Sequence, residues 1–168
     1  MDIFAHTLWT NAVFHTKYHF QKKQRYLAAF FGVAPDLVGF TPAFLYLLFS
    51  DHSFGRGAFN GSSWVFRFAG EVYNYSHSLV IFVIVMLIVM ALRQGRIYWP
   101  MFGWAVHILI DIPSHKGFYE TPFLFPLSDY RFSHGLSWAH SSFMLINYSA
   151  LVLTYLFIWQ YGKKRKKV

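Results

Sequence analysis

Within the apolar run Trp104-Ala105-Val106-His107-Ile108-Leu109-Ile110-Asp111, a histidine and a carboxylate stand four residues apart. On a helix, positions i and i+4 lie on one face, one turn apart. An imidazole and a carboxylate so placed can hold one divalent cation from a single rigid element. A bland alternative is a His–Asp hydrogen bond that only locks two helices together. Burying an aspartate costs several kcal/mol unless it is paired or bound to metal, so the pair needs a partner either way. Pro113 follows and is expected to end the helix beside the carboxylate. His115, four residues beyond Asp111, is a candidate further ligand or proton shuttle.

Other ionisable residues interrupt apolar segments elsewhere: His6, Asp36 and His77. Such residues inside membrane spans usually mark function. At about 1.5 Å rise per residue, Asp36 and His107 lie roughly 15 Å from the basic ends of their segments. Asp111, His77 and His6 come out at roughly 20 Å. Scattered structural polar groups need not agree in depth, so the agreement favours one shared site in the outer half of a bilayer. Three His and two Asp suit Zn2+ first, with Mn2+ or Fe2+ also compatible, as one ion or two. Two carboxylates allow one to bridge two metals, an arrangement that activates water against a phosphoester.

The elements that must position these groups are apolar helices. The chain has 168 residues, of which 55% are hydrophobic, 22% aromatic and only 13% charged. Soluble domains carry about a quarter charged residues, so the composition predicts an integral membrane protein. There is no cysteine, which excludes thiolate ligands and disulfides. A span needs about 20 apolar residues. Residues 73–92 and 141–161 meet that length, 26–49 and 97–112 are read as crossing too, and 3–19 either cross or lie in the interface. The expected architecture is all-α, a single polytopic bundle of four to five transmembrane helices. Its outer loops fall at about 51–72 and 113–140, and its basic tail at 162–168.

Charge sets the expected orientation. Segments 21–25, 93–96 and 163–167 hold ten of the fifteen Lys and Arg and no acid. The positive-inside rule puts them, and so the C-terminus, in the cytoplasm. The formal net charge of +8 is therefore read as topology and contact with anionic lipid headgroups, not as nucleic-acid binding. Oligomeric state is not legible.

Taken in order, His6, Ala34-Pro35-Asp36, Tyr75-Ser76-His77-Ser78, His107-x-x-x-Asp111 with Pro113-Ser114-His115, and the loop from Thr121-Pro122-Phe123 to Pro126-Leu127-Ser128 form a set. The set resembles small prokaryotic inner-membrane metal-dependent hydrolases, distant relatives of zinc-dependent phospholipase C. The resemblance implies one metal on Asp36, His77, His107 and Asp111, and a second on Asp111 and His6. The soluble relatives also use the amino group of an N-terminal Trp, where this chain begins Met1-Asp2. The implied activity is hydrolysis of a phospholipid or lipid-linked phosphate at a prokaryotic plasma membrane, with Asp111 and His115 in catalytic roles. Two other readings use the same residues: a transporter or ion relay, and a membrane scaffold with a structural metal.

Overall fold

The computed structural model describes residues 1–17, 21–49, 64–117 and 120–165. Among them the chain is all helical: α1 (Ile3–Lys17), α2 (Lys22–Phe31), α3 (Ala34–Phe49), α4 (Trp64–Ser76), α5 (Leu79–Leu92), α6 (Phe102–Ser114) and α7 (Ser141–Arg165). A 3-10 turn, Trp99–Met101, leads directly into α6. Residues 51–63 of the expected first outer loop and 166–168 of the tail lie outside the described residues.

Helix α6 is the centre of the bundle and packs against α1, α2, α3 and α5. Two close crossings seat it. A Cβ on Gly103 of α6 would overlap the Ala28 carbonyl of α2, and one on Gly32 would overlap the Thr10 side chain of α1. Only a hydrogen at these positions lets the backbones approach so closely. Ile108, fully buried, anchors an apolar cluster with Phe82, Met86 and Met101 on the α5 side.

Two boundaries differ from the sequence reading. The apolar run 73–92 is not one helix. It breaks at His77-Ser78, where α4 and α5 meet at a 65° bend. The Ser78 backbone is extended, and its hydroxyl accepts from the Ile81 N–H, capping α5. Part of the expected 51–72 loop is helical, since α4 begins at Trp64. The run 26–49, expected to be broken at Pro35, does bend, by 47° between Phe31 and Ala34. Pro35 therefore sits in the first turn of α3, where its missing N–H costs nothing. Pro113 likewise lies inside the last turn of α6, which continues to Ser114.

By length and composition α7 is the one described helix able to cross a membrane alone, over Ser141–Lys163. The count rises to three if each bent pair, α2–α3 and α4–α5, is one span. At 15 and 13 residues, α1 and α6 fall short of about 20. The burial pattern is that of a protein with an apolar exterior. Val83, Ile84, Leu87 and Ile88 of α5, and Leu145, Leu153 and Phe157 of α7, are about half exposed or more. His6, Thr10, His77, Ser78, His107 and Asp111 are fully buried.

The 113–140 segment is tied down over one end of the bundle. Leu79 N–H donates to the Phe123 carbonyl, and the Ser78 hydroxyl to that of Phe125. Leu136 and Trp138 N–H groups donate to Pro113 and Ser114 carbonyls. Arg131 donates to the Glu120 carbonyl and to Asn74 Oδ1, so it serves the loop itself.

Candidate metal centre

The α6 pair meets its partners in the core. Ligand atoms of Asp36, His77, His107 and Asp111 all lie within 4.8 Å of one another, a group able to hold a metal ion. His107 Nε2 is 3.1 Å from Asp111 Oδ2 and 3.7 Å from Asp36 Oδ1. His77 Nε2 is 3.6 Å and 3.4 Å from the same two oxygens. Asp36 comes from the first turn of α3, and His77 from the unwound link between α4 and α5.

The far side of each ring explains its orientation. His107 Nδ1 lies 2.8 Å from the Gly32 carbonyl, which can only accept, so Nδ1 carries the hydrogen. His77 Nδ1 faces the Tyr73 carbonyl at 3.2 Å, with the Ser76 hydroxyl at 2.9 Å. With each ring neutral and its hydrogen on Nδ1, both Nε2 atoms are lone-pair donors, and they face each other at 3.1 Å. Holding metal-ligating imidazoles by a carbonyl on the opposite nitrogen is a common second-layer arrangement.

Four electron-rich atoms thus converge in a nearly wholly buried site. Asp111 Oδ2 is buried without a hydrogen-bond partner. A divalent cation at their common point would satisfy all four groups, beside the Met1 ammonium that already meets Asp111 Oδ1. The residues present fit a metal.

Asp111 faces two ways. Its Oδ1 accepts from the Met1 α-amine at 2.7 Å and lies 2.9 Å from His6 Nε2. The His6 contact has ion-pair distance without hydrogen-bond alignment, and both His6 nitrogens are buried without a hydrogen-bond partner. The His6 ring stacks on His107 at 3.9 Å. His115 joins the same side: its Nε2 is 2.9 Å from the Met1 amine, and its Nδ1 is 3.2 Å from the Tyr73 hydroxyl. Burial holds the His115 ring down at a pKa of about 4 against the opposing pull of Asp111, so it is neutral near pH 7.

All six residues singled out from sequence therefore gather: His6, Asp36, His77, His107, Asp111 and His115. Lying beyond Pro113 does not carry His115 off the face of Asp111, because its N–H still bonds the Asp111 carbonyl at 3.0 Å. Lys116 and His134 stay exposed, and His140 lines a separate crevice with Trp9 and Asn147. Two participants were missed. Tyr73 is buried, stacks on His77 at 3.8 Å and touches His115. Its i,i+4 spacing from His77 was the available signal. The Met1 amine gave none.

Comparison with known proteins adds no family. No protein-family model, curated protein or solved structure matches this chain.

Proposed function

We propose that this chain is an integral membrane, metal-dependent hydrolase acting on a phosphoester of a phospholipid or lipid-linked phosphate. One observation carries the reading: the Nε2 atoms of His77 and His107 are aimed at each other and at two buried carboxylates. Asp36, His77, His107 and Asp111 would hold the cation, with Zn2+ the best match to the donor set. Bound there, a divalent cation supplies Lewis acidity toward a phosphoryl oxygen and brings the ionisation of water toward neutral pH. Asp111 Oδ1, with His6, offers a place for a second cation. His115 Nε2 would take or return a proton, with Tyr73 steadying Nδ1. The resemblance to the phospholipase C relatives agrees with this assignment.

The membrane part of the proposal keeps a four- to five-span bundle in the prokaryotic plasma membrane. α7 and the two bent pairs make three spans, α6 with its leading 3-10 turn a shorter fourth, and α1 a fifth. The C-terminus is cytoplasmic and the metal lies toward the outer half. The outward apolar faces of α5 and α7 support it, because soluble surfaces seldom carry such continuous apolar area.

A second reading has its own observation. The four donors are nearly or wholly buried, as in a closed structural site, and catalytic sites keep an open position. A scaffold with a structural metal would look like this. The deciding experiment is elemental analysis of purified protein together with a lipid-phosphate substrate screen. The hydrolase reading expects stoichiometric metal, turnover of a phospholipid or lipid phosphate, and loss of both in His107→Ala and Asp111→Ala. Stoichiometric metal without turnover supports the scaffold. Protein free of metal, or variants with full activity, would end the proposal.

A further inference from the structure

A second cavity lies apart from the metal centre, where α1 and α2 meet the last turns of α7. It has a volume of about 480 Å³, and its walls include Asn11, His15, Arg25, Tyr155, Trp159 and Lys163. Arg25 and Lys163 come from basic segments 138 positions apart in sequence, brought together only by the α1–α7 packing. Among the described residues, every ion pair involves Asp36 or Asp111, so neither Arg25 nor Lys163 has a carboxylate partner. Arg25 Nε is enclosed and has no hydrogen-bond partner among the described residues. Lys163 Nζ sits 3.6 Å over the Trp159 ring. Tyr155 is already committed, its hydroxyl donating to the Leu8 carbonyl at 2.9 Å with Asn11 Oδ1 as the alternative acceptor at 3.2 Å, which ties α7 to α1.

We propose that this crevice binds the phosphate of an anionic phospholipid headgroup. A buried guanidinium N–H without an acceptor among the described residues, in a crevice that also presents an ammonium with no carboxylate partner there, suits an anion. Phosphate oxygens suit both donors. The setting favours a lipid over a soluble anion. The crevice opens at the end of the one helix able to cross a membrane alone, beside Trp159, a residue type that settles at the headgroup level. From there the exposed Phe157, Leu156 and Leu153 continue along α7 as a track for acyl chains. Basic pockets between helices at the cytoplasmic face are a recurrent form of headgroup site. The site is independent of the metal centre and stands whether or not the chain hydrolyses anything.

The test is native mass spectrometry of the full chain in detergent, titrated with phosphatidylglycerol, phosphatidylethanolamine or inorganic phosphate. The wild type is expected to retain phosphatidylglycerol well above phosphatidylethanolamine. Arg25→Gln with Lys163→Gln is expected to weaken that retention about thirtyfold, at roughly fivefold per cation. Lys163→Gln alone, at an exposed position, is expected to lose about fivefold and leaves folding untouched. The equal-charge control, Lys22→Gln with Arg96→Gln, removes exposed basic residues outside the crevice and is expected to bind as the wild type does. Equal retention of the two lipids would overturn the proposal. So would a control as weak as the crevice variant, which would mean diffuse charge. Displacement of the lipid by millimolar inorganic phosphate would assign the crevice to a soluble anion and overturn it too.

Discussion

His77 Nε2 and His107 Nε2 face each other at 3.1 Å, and each ring turns its other nitrogen to a backbone carbonyl. Two lone pairs so opposed, with two carboxylate oxygens alongside, repel unless a cation or proton lies between them. Helices α3 and α6 and the α4–α5 break hold this arrangement, a buried group that could hold a metal ion.

Removing that ion should loosen the fold. Chelation of purified protein is expected to lower the thermal midpoint by several degrees, and Zn2+ to restore it. A ligand present at a hundredfold its dissociation constant stabilises by about 2.7 kcal/mol. Thermal unfolding in detergent, with and without chelator, checks this. An unchanged midpoint would count against a cation in the centre.

His107→Ala and His77→Ala should each cut bound metal from about one ion per chain to a small fraction, because each removes one of four donors. His6→Ala lies outside that foursome and should leave the first ion in place. If it reduces stoichiometry from two to one, Asp111 bridges two cations. Mass spectrometric metal counting distinguishes these results. Loss of all metal in His6→Ala would show that His6 belongs to the primary site.

Gly103→Ala should destabilise strongly. Its Cβ meets the Ala28 carbonyl oxygen and carbon, which belong to helix backbone and cannot swing aside. Overpacking of this kind costs about 1–3 kcal/mol. The shift would also pull His107 from the Gly32 carbonyl, so bound metal should fall with stability. Gly70→Ala, also in a helix but with nothing within 4 Å of its new Cβ, should be neutral or stabilising by about 0.4–1 kcal/mol. Paired thermal denaturation of the two variants makes the comparison.

Tyr73→Phe keeps the ring that stacks on His77 and deletes the hydroxyl that meets His115. Metal content should be unchanged, while hydrolysis of a lipid phosphate should fall about tenfold or more, the usual scale for an outer-layer partner. Wild-type turnover in this variant would remove His115 and Tyr73 from the proton pathway.

Ser78→Ala removes the cap of α5 and the hydroxyl that holds the Phe125 carbonyl. The cap alone is worth about 1 kcal/mol. Limited proteolysis should cut the 120–140 segment faster than in the wild type, with α6 unaffected. Equal cleavage rates would show that the backbone bonds to Phe123, Pro113 and Ser114 suffice.

How much of this was legible in the linear chain follows from the range of each interaction. Composition alone settled the helical, outwardly apolar character, because 13% charge cannot cover a soluble surface. The i,i+4 spacing settled that His107 and Asp111 share a face, since helical rise and twist are local properties. The other residues were marked by type, as ionisable groups in apolar surroundings, and depth counting brought them to a similar level. Their meeting was decided by tertiary structure. Close crossings at Gly103–Ala28 and Gly32–Thr10 bring α1, α2 and α6 together, and a glycine in an apolar run carries no mark of the neighbour it will touch. The break at His77-Ser78 was hidden for a related reason. The polar residues Asn74, Ser76, His77 and Ser78 precede the continuous apolar stretch 79–92, but polarity alone does not signal a bend, which depends on loop carbonyls about 45 positions away that engage Ser78 and Leu79. Sequence could name the donors and their chemistry; only the packed chain could bring them within reach of one ion.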